Sequence, residues 1–270
     1  MGKSNWNVDI ENESVINDLI IEHLTNSGMF EKVKRSTKEE NHKGSDIQLV
    51  SERFFKDNLL HHVDLKTATN YRKVDGDESI PTFAFELQFS KPDGNGGIKK
   101  EGWVFGEKYT LTEWYLISWI WVYDEEKRDR KVTLSKEDIS QIEFVLIKKE
   151  VIKKYLKYYK VNKKNYEKVI DRFNSLLNKE RLKKNSKLAF IIKEENRKLN
   201  YATLSLYKPT EYRLTETTNK EDRKLYLPQI YYTAWLAEQP YNILISKKSL
   251  IDIVNDRRYK GIHRIIDFKL

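Results

Sequence analysis

The chain has 270 residues, of which 39% are hydrophobic and 34% charged, and a net charge of +9. That is enough chain for one large domain or two small ones with real cores, and the balance is neither membrane-like nor disordered. It contains no cysteine, which excludes a disulfide framework, thiolate zinc sites, iron–sulfur clusters and a cysteine nucleophile, and leads us to expect a cytoplasmic protein.

No apolar run approaches the roughly 18 residues of a spanning helix. The opening "MGKSNWNVDIENES" lacks the apolar core of a signal peptide, so no membrane partner is expected. "NESVINDLIIEHLTNSG" predicts a helix capped at Asn12 or Ser14 and stopped at Gly28. Val15, Ile16, Leu19, Ile20 and Leu24 recur at helical spacing, and Glu22 falls beside that apolar face. "MFEKVKRS" reads as a short edge strand. "SDIQLVS" and "HHVDLKTA" both alternate and are separated by "ERFFKDNLL", which predicts antiparallel neighbours.

"PTFAFELQFS" alternates cleanly before "KPDGNGG" breaks the chain in a turn; its "GNGG" lacks the lysine and Ser/Thr of a phosphate-binding loop. "EWYLISWIWVY" is a near-continuous apolar run suited to a central strand covered on both faces. A further strand is expected around Ile142–Ile147, then a helix from about Lys149. "EQPYNILISKKSLIDIVNDRR" closes with a strand and an amphipathic helix.

Charge is unevenly spread. Residues 1–150 carry 22 Lys and Arg against 28 Asp and Glu, whereas residues 151–270 carry 28 against 13. A basic half joined to an acidic one predicts a polyanionic partner for the basic portion. In the lysine-rich stretch 153–198, tyrosines are interleaved at Tyr155, Tyr158, Tyr159 and Tyr166. Lys153, Lys154, Lys157, Lys163 and Lys164 are the candidates for gripping a nucleic-acid backbone. The whole reads as α/β, with a central mixed sheet flanked by helices over residues 1–150. A basic, largely helical portion over 151–270, with closing strand and helix elements, packs on that core.

The chemistry is concentrated in "GSDIQLVSERFFKDNLLHHVDLKTATNY". Residues two apart on a strand share a face, so Asp64 and Lys66 point the same way. Pairing of the two strands brings Asp46 close to Asp64. Two neighbouring carboxylates repel unless something neutralises them, and Mg²⁺ accepts such hard oxygen donors. Lys66 could then position or deprotonate an attacking water and stabilise charge on a phosphate. His61 and His62 have no third ligand nearby and read as surface side chains, and no Gly-x-Ser-x-Gly elbow is present.

Gly-x-Asp, a hairpin-length gap and Asp-x-Lys, in that order after a helix, resembles the restriction-endonuclease-like superfamily with its PD-(D/E)XK signature. The resemblance covers about residues 12–150. It implies a restriction-endonuclease-like core with Asp46 and Asp64 as acidic metal ligands and Lys66 as the catalytic lysine. It also implies Glu22 as the helix-borne ligand and Gln88 as the glutamine that some members carry after the Asp-x-Lys strand. Ser45 stands where the signature has proline. The activity implied is a Mg²⁺-dependent deoxyribonuclease, an endonuclease before an exonuclease, with Mn²⁺ able to substitute, no nucleotide cofactor, and room for a homodimer. A non-catalytic nucleic-acid-binding or host-interaction protein on the same fold remains the alternative.

Overall fold

A computed structural model describes residues 6–91, 98–182, 201–206, 212–214, 228–233 and 240–268. Its first helix, α1 (Trp6–Asn26), begins upstream of the expected cap. Asn12 is therefore inside the helix, and buried. Its side-chain oxygen accepts the Leu134 N–H at 2.7 Å and its amide donates to the Val132 carbonyl at 3.3 Å, so it ties α1 to a distant loop instead of capping it. The helix stops just before Gly28, whose φ of +66° is the left-handed turn expected there.

β1 (Lys32–Arg35), α2 (Lys38–His42), β2 (Ile47–Val50), α3 (Glu52–Phe55), β3 (His61–Thr67) and β4 (Lys73–Val74) follow in order. β5 (Thr82–Lys91), β6 (Ile98–Glu101), β7 (Trp114–Val122) and β8 (Ile139–Lys148) come next. β1 is the expected edge strand, and β2 and β3 are antiparallel neighbours with Ile47 opposite Val63 and Leu49 opposite His61. All residues of β7 are buried, as its apolar run required.

Two units divide the chain. The first comprises residues 1–80, 108–151 and 250–270. Its sheet runs β1-β2-β3-β7-β8-β13, with β4 beside β7 and β13 spanning Ile262–Asp267. β3 and β4 lie parallel to β7 and the other pairings are antiparallel, so the sheet is mixed. Ile16, Ile20 and Leu24 of α1 cluster with Ile47, Leu49, Val63, Leu65, Leu116, Phe144 and Leu146 from one sheet face. Each such side chain contributes about 1.5–3 kcal/mol by leaving water.

The second unit comprises residues 81–107 and 152–249. Its sheet is antiparallel throughout, in the order β10-β9-β11-β12-β5-β6, where β9 is Tyr201–Leu206, β10 Tyr212–Leu214, β11 Gln229–Thr233 and β12 Tyr241–Ser246. α5 (Tyr166–Leu182) belongs to this unit, while α4 (Lys149–Tyr158) and α6 (Lys247–Asn255) run across the crossings after residues 151 and 249. The expected boundary near residue 150 coincides with one of the four crossings, but residues 81–107 belong to the second unit and residues 250–270 to the first. The reason is pairing at long range: Phe83 and Phe85 of β5 face Ile245 and Ile243 of β12, while β13 closes on β8. Among its described residues the C-terminal portion combines helix with strand, supplying four strands to one sheet and one to the other. Residues 183–198 of the lysine-rich stretch, and "GNGG", lie outside the described residues.

Charge follows this division. The first unit carries 24 Lys and Arg against 27 Asp and Glu, and the second 26 against 14. Among the described residues no helix is long and apolar enough to cross a membrane.

Candidate active site

The site begins at a forced turn. Thr37 caps α2 and forms a capping box with Glu40, and five residues later the helix has ended. Gly44 then takes a φ of +86°, a conformation open to glycine and costly for other residues. Its carbonyl accepts the Thr112 hydroxyl at 2.6 Å. Ser45 is fully buried, and its hydroxyl shares hydrogen bonds with His62 Nδ1 at 2.9 Å and Ser36 Oγ at 2.7 Å. The serine directly before Asp46 is thus a satisfied anchor between β2 and β3.

Asp46 comes next, where β2 starts. Its N–H donates to the Val63 carbonyl at 2.9 Å, and its Oδ2 accepts the Leu65 N–H at 2.7 Å. One residue thereby holds the β3 backbone on both sides of Asp64. The carboxylate takes the place that a backbone carbonyl would occupy if the β2–β3 ladder continued. Asn41 Nδ2 donates to its other oxygen.

Asp64 lies in mid-β3, is only 2% exposed, and pairs in register with the fully buried Tyr115 of β7. Lys66 Nζ donates to its Oδ1 at 2.6 Å; Oδ2 is buried and has no hydrogen-bond partner. Burial pushes the Asp64 carboxyl up to about 7; Lys66 pulls it down and Asp46 pushes it further up. For Lys66, burial works against the charged form, but Asp64, Asp46 and Glu13 together outweigh it and hold the ammonium above its ordinary range. A buried pair of this kind leaves a strongly destabilising charge behind if one partner is removed.

Glu13 is the α1 carboxylate electrostatically coupled to Lys66 and Asp46. It is open to solvent, yet surrounding protein desolvates it and raises its pKa, Lys66 lowers it, and Asp46 raises it. Glu22, which the resemblance pointed to, belongs elsewhere: it is exposed and takes a salt bridge from Lys136 at 2.9 Å. Its place beside the apolar stripe was right, but it sits nine residues, two and a half turns, beyond the site end of the helix. Gln88 is buried in β5, opposite Tyr241 and Glu101, in the sheet of the second unit. The carboxylate sheet has no place for it, because β3 is followed there by β4 and β7.

Both histidines are partnered and are not plain surface groups. His61 shares hydrogen bonds with Glu113 Oε2 at 2.8 Å and Asp57 Oδ1 at 2.9 Å and stacks on Phe55. Of the candidate backbone-gripping lysines, Lys154, Lys157 and Lys164 are exposed and Lys153 is half-buried. Lys163 is held by Glu101, with Glu107 at 3.7 Å.

Among the described residues no three His, Asp or Glu side chains are grouped to enclose a metal. The residues nonetheless fit Mg²⁺, which binds through one or two carboxylates and keeps several waters. Asp46 and Asp64 supply hard oxygens, and the unpartnered Oδ2 of Asp64 is a buried acceptor awaiting a cation or a proton. No protein-family model, curated protein or solved structure matches this chain.

Proposed function

We propose that this chain is a metal-dependent nuclease with a restriction-endonuclease-like core that hydrolyses phosphodiester bonds in DNA. One observation carries the reading: Asp64 is buried with one oxygen unpartnered while Lys66 grips the other at 2.6 Å and Asp46 lies alongside. A protein rarely buries such a cluster without a task for it. Bound Mg²⁺ or Mn²⁺ would neutralise the carboxylates and acidify the attacking water.

The chain's own groups divide the remaining work. Lys66, held protonated by its three carboxylate neighbours, acts as a fixed cation for charge developing on the phosphoryl oxygens, and does not take a proton near neutral pH. Glu13, accessible and with a raised pKa, is the group suited to accept the proton of the attacking water. Glu13→Gln is therefore expected to slow cleavage by about 10²-fold, within the usual range for a general base, whereas Glu22→Gln leaves the rate unchanged. The reverse pattern in a plasmid-nicking time course would remove Glu13 from the site.

The reading is tested with closed-circular duplex and single-stranded DNA in Mg²⁺, Mn²⁺ or EDTA. Cutting of either circle with metal and none in EDTA is expected; intact circles in both metals overturn it. A non-catalytic DNA-binding protein is the second reading, favoured by the absence of a three-ligand group among the described residues. It predicts retention of DNA without cutting.

A further inference from the structure

The excess positive charge of the second unit's sequence begins on one strip of α4. Val151, Ile152 and Leu156 are buried, and the exposed positions Lys154, Lys157 and Tyr158 fall on a single face. The Tyr158 side chain is 54% exposed. Its ring meets Tyr159 edge-on at 5.1 Å and 82°, and Tyr159 in turn leans on Tyr155 at 5.1 Å. A protruding ring is thus braced from behind by two others.

The helix ends beside this ring. Lys160 N–H donates to the Lys157 carbonyl at 2.9 Å and Val161 N–H to that of Leu156 at 3.0 Å, with Lys160 at a φ of +64°. This is the helix-ending turn in which glycine is strongly preferred. A lysine there accepts backbone strain, as Lys56 and Lys260 do at their own turns, and adds a third exposed lysine close in sequence to Lys157 and Tyr158. Lys154, Lys157 and Lys160 have no salt bridge among the described residues, whereas Lys163, just beyond, is occupied by Glu101 and Glu107. The strip therefore ends where its charges become internally neutralised.

We propose that this strip binds single-stranded DNA, with Tyr158 stacking on a base and Lys154, Lys157 and Lys160 on the flanking phosphates. Charge alone would serve duplex equally well. The ring decides for single strands, because only an unpaired, unstacked base offers it a face. The proposal deepens the DNA-hydrolysis reading by naming the strand form, and it is tested in EDTA so that binding and cleavage can fail separately.

The measurement is fluorescence anisotropy with a labelled oligothymidylate, about 15 nucleotides long to span a typical single-strand site, and a duplex of the same length. Tyr158→Ala should weaken oligothymidylate binding about tenfold, in the range of one lost base stack, and leave duplex binding unchanged. Tyr158→Phe, which keeps the ring, should bind as wild type. Lys160→Gly gives the second arm: it relieves the strained turn, so the melting temperature should rise while affinity falls and the slope of log affinity against log salt shrinks by about 0.7. A variant that is more stable yet binds less cannot be explained by misfolding. No affinity of wild type for oligothymidylate at low salt, equal loss on single strand and duplex for Tyr158→Ala, or unchanged binding by Lys160→Gly would each overturn the proposal.

Discussion

Asp64→Asn should abolish cleavage, and its melting temperature relative to that of wild type should rise between pH 4 and pH 8. The amide keeps the shape of the carboxylate, can still accept from Lys66 and can donate toward Asp46, so what disappears is chiefly the buried negative charge. The Asp64 carboxyl titrates at about 7 in the fold against an ordinary 3.8. Because the folded protein holds that proton more tightly than the unfolded chain, ionising Asp64 works against folding. Wild type therefore loses stability relative to the variant as pH rises from about 4 through about 7, a difference on the order of a few kcal/mol for a shift of this size. Lys66 loses its nearest carboxylate in the variant, so what reports Asp64 is the change of the difference with pH and not its absolute size. Parallel profiles from pH 4 to pH 8, or full activity in the variant, would contradict this account.

Gly44→Ala should be nearly as damaging from two residues away. A Cβ on Gly44 would stand 2.3 Å from Thr112 Oγ1 and 3.1 Å from the Tyr109 ring. Thr112 cannot simply withdraw, because its hydroxyl is buried and donates to the Gly44 carbonyl. The left-handed backbone costs about 1–2 kcal/mol for a side chain and overpacking about 1–3 more. A fall in melting temperature on the order of 10 °C follows for a chain of this size, with cleavage lost because Asp46 is displaced from β3. Thr112→Ala removes the clashing oxygen, so the double variant should be less destabilised than the two singles combined. Strict additivity would show that the crowding is relieved elsewhere and that the turn is not what positions Asp46.

What could be read in the sequence was mostly local. β2 and β3 alternate, are joined by a short connection, and carry the Gly-x-Asp and Asp-x-Lys residues, so Asp46, Asp64 and Lys66 were identifiable as neighbours. The unbroken apolar run of β7 likewise announced a strand covered on both faces. What depended on distant pairing was hidden. The alternation of β5 is genuine, but nothing within it says that its partner is β12 and not β3, and Gln88 went with it. β13 is short and mixes charge with isoleucine, and only its pairing with β8 makes it a strand.

The helix glutamate failed for a different reason. Placing the helix start at Asn12 or Ser14 put Glu13 in the cap, and the true start at Trp6 makes it a helical side chain electrostatically coupled to Lys66 and Asp46. Asn12 imitates a cap because the same side chain that could bond a helix N–H here bonds the loop at Val132 and Leu134. Lys163 was indistinguishable from its neighbours until Glu101, on a strand far upstream, was brought against it.

The path of the chain bears on how such a protein can be taken apart or recombined. The backbone leaves the first unit after residue 80, returns at 108, leaves again after 151 and comes back at 250. A cut at residue 150 would strip β8 of β13 and leave Phe83, Phe85 and Leu87 of β5, all buried in the intact protein, without β12 to pair them. Loop-closure entropy rises only slowly with length, so the long excursions burden stability little, but they forbid consecutive inheritance of the two units. Neither can be transplanted as a single cassette. Exchange of the basic unit would need two segments to move together, which ties the evolution of that unit to that of the carboxylate sheet it interrupts.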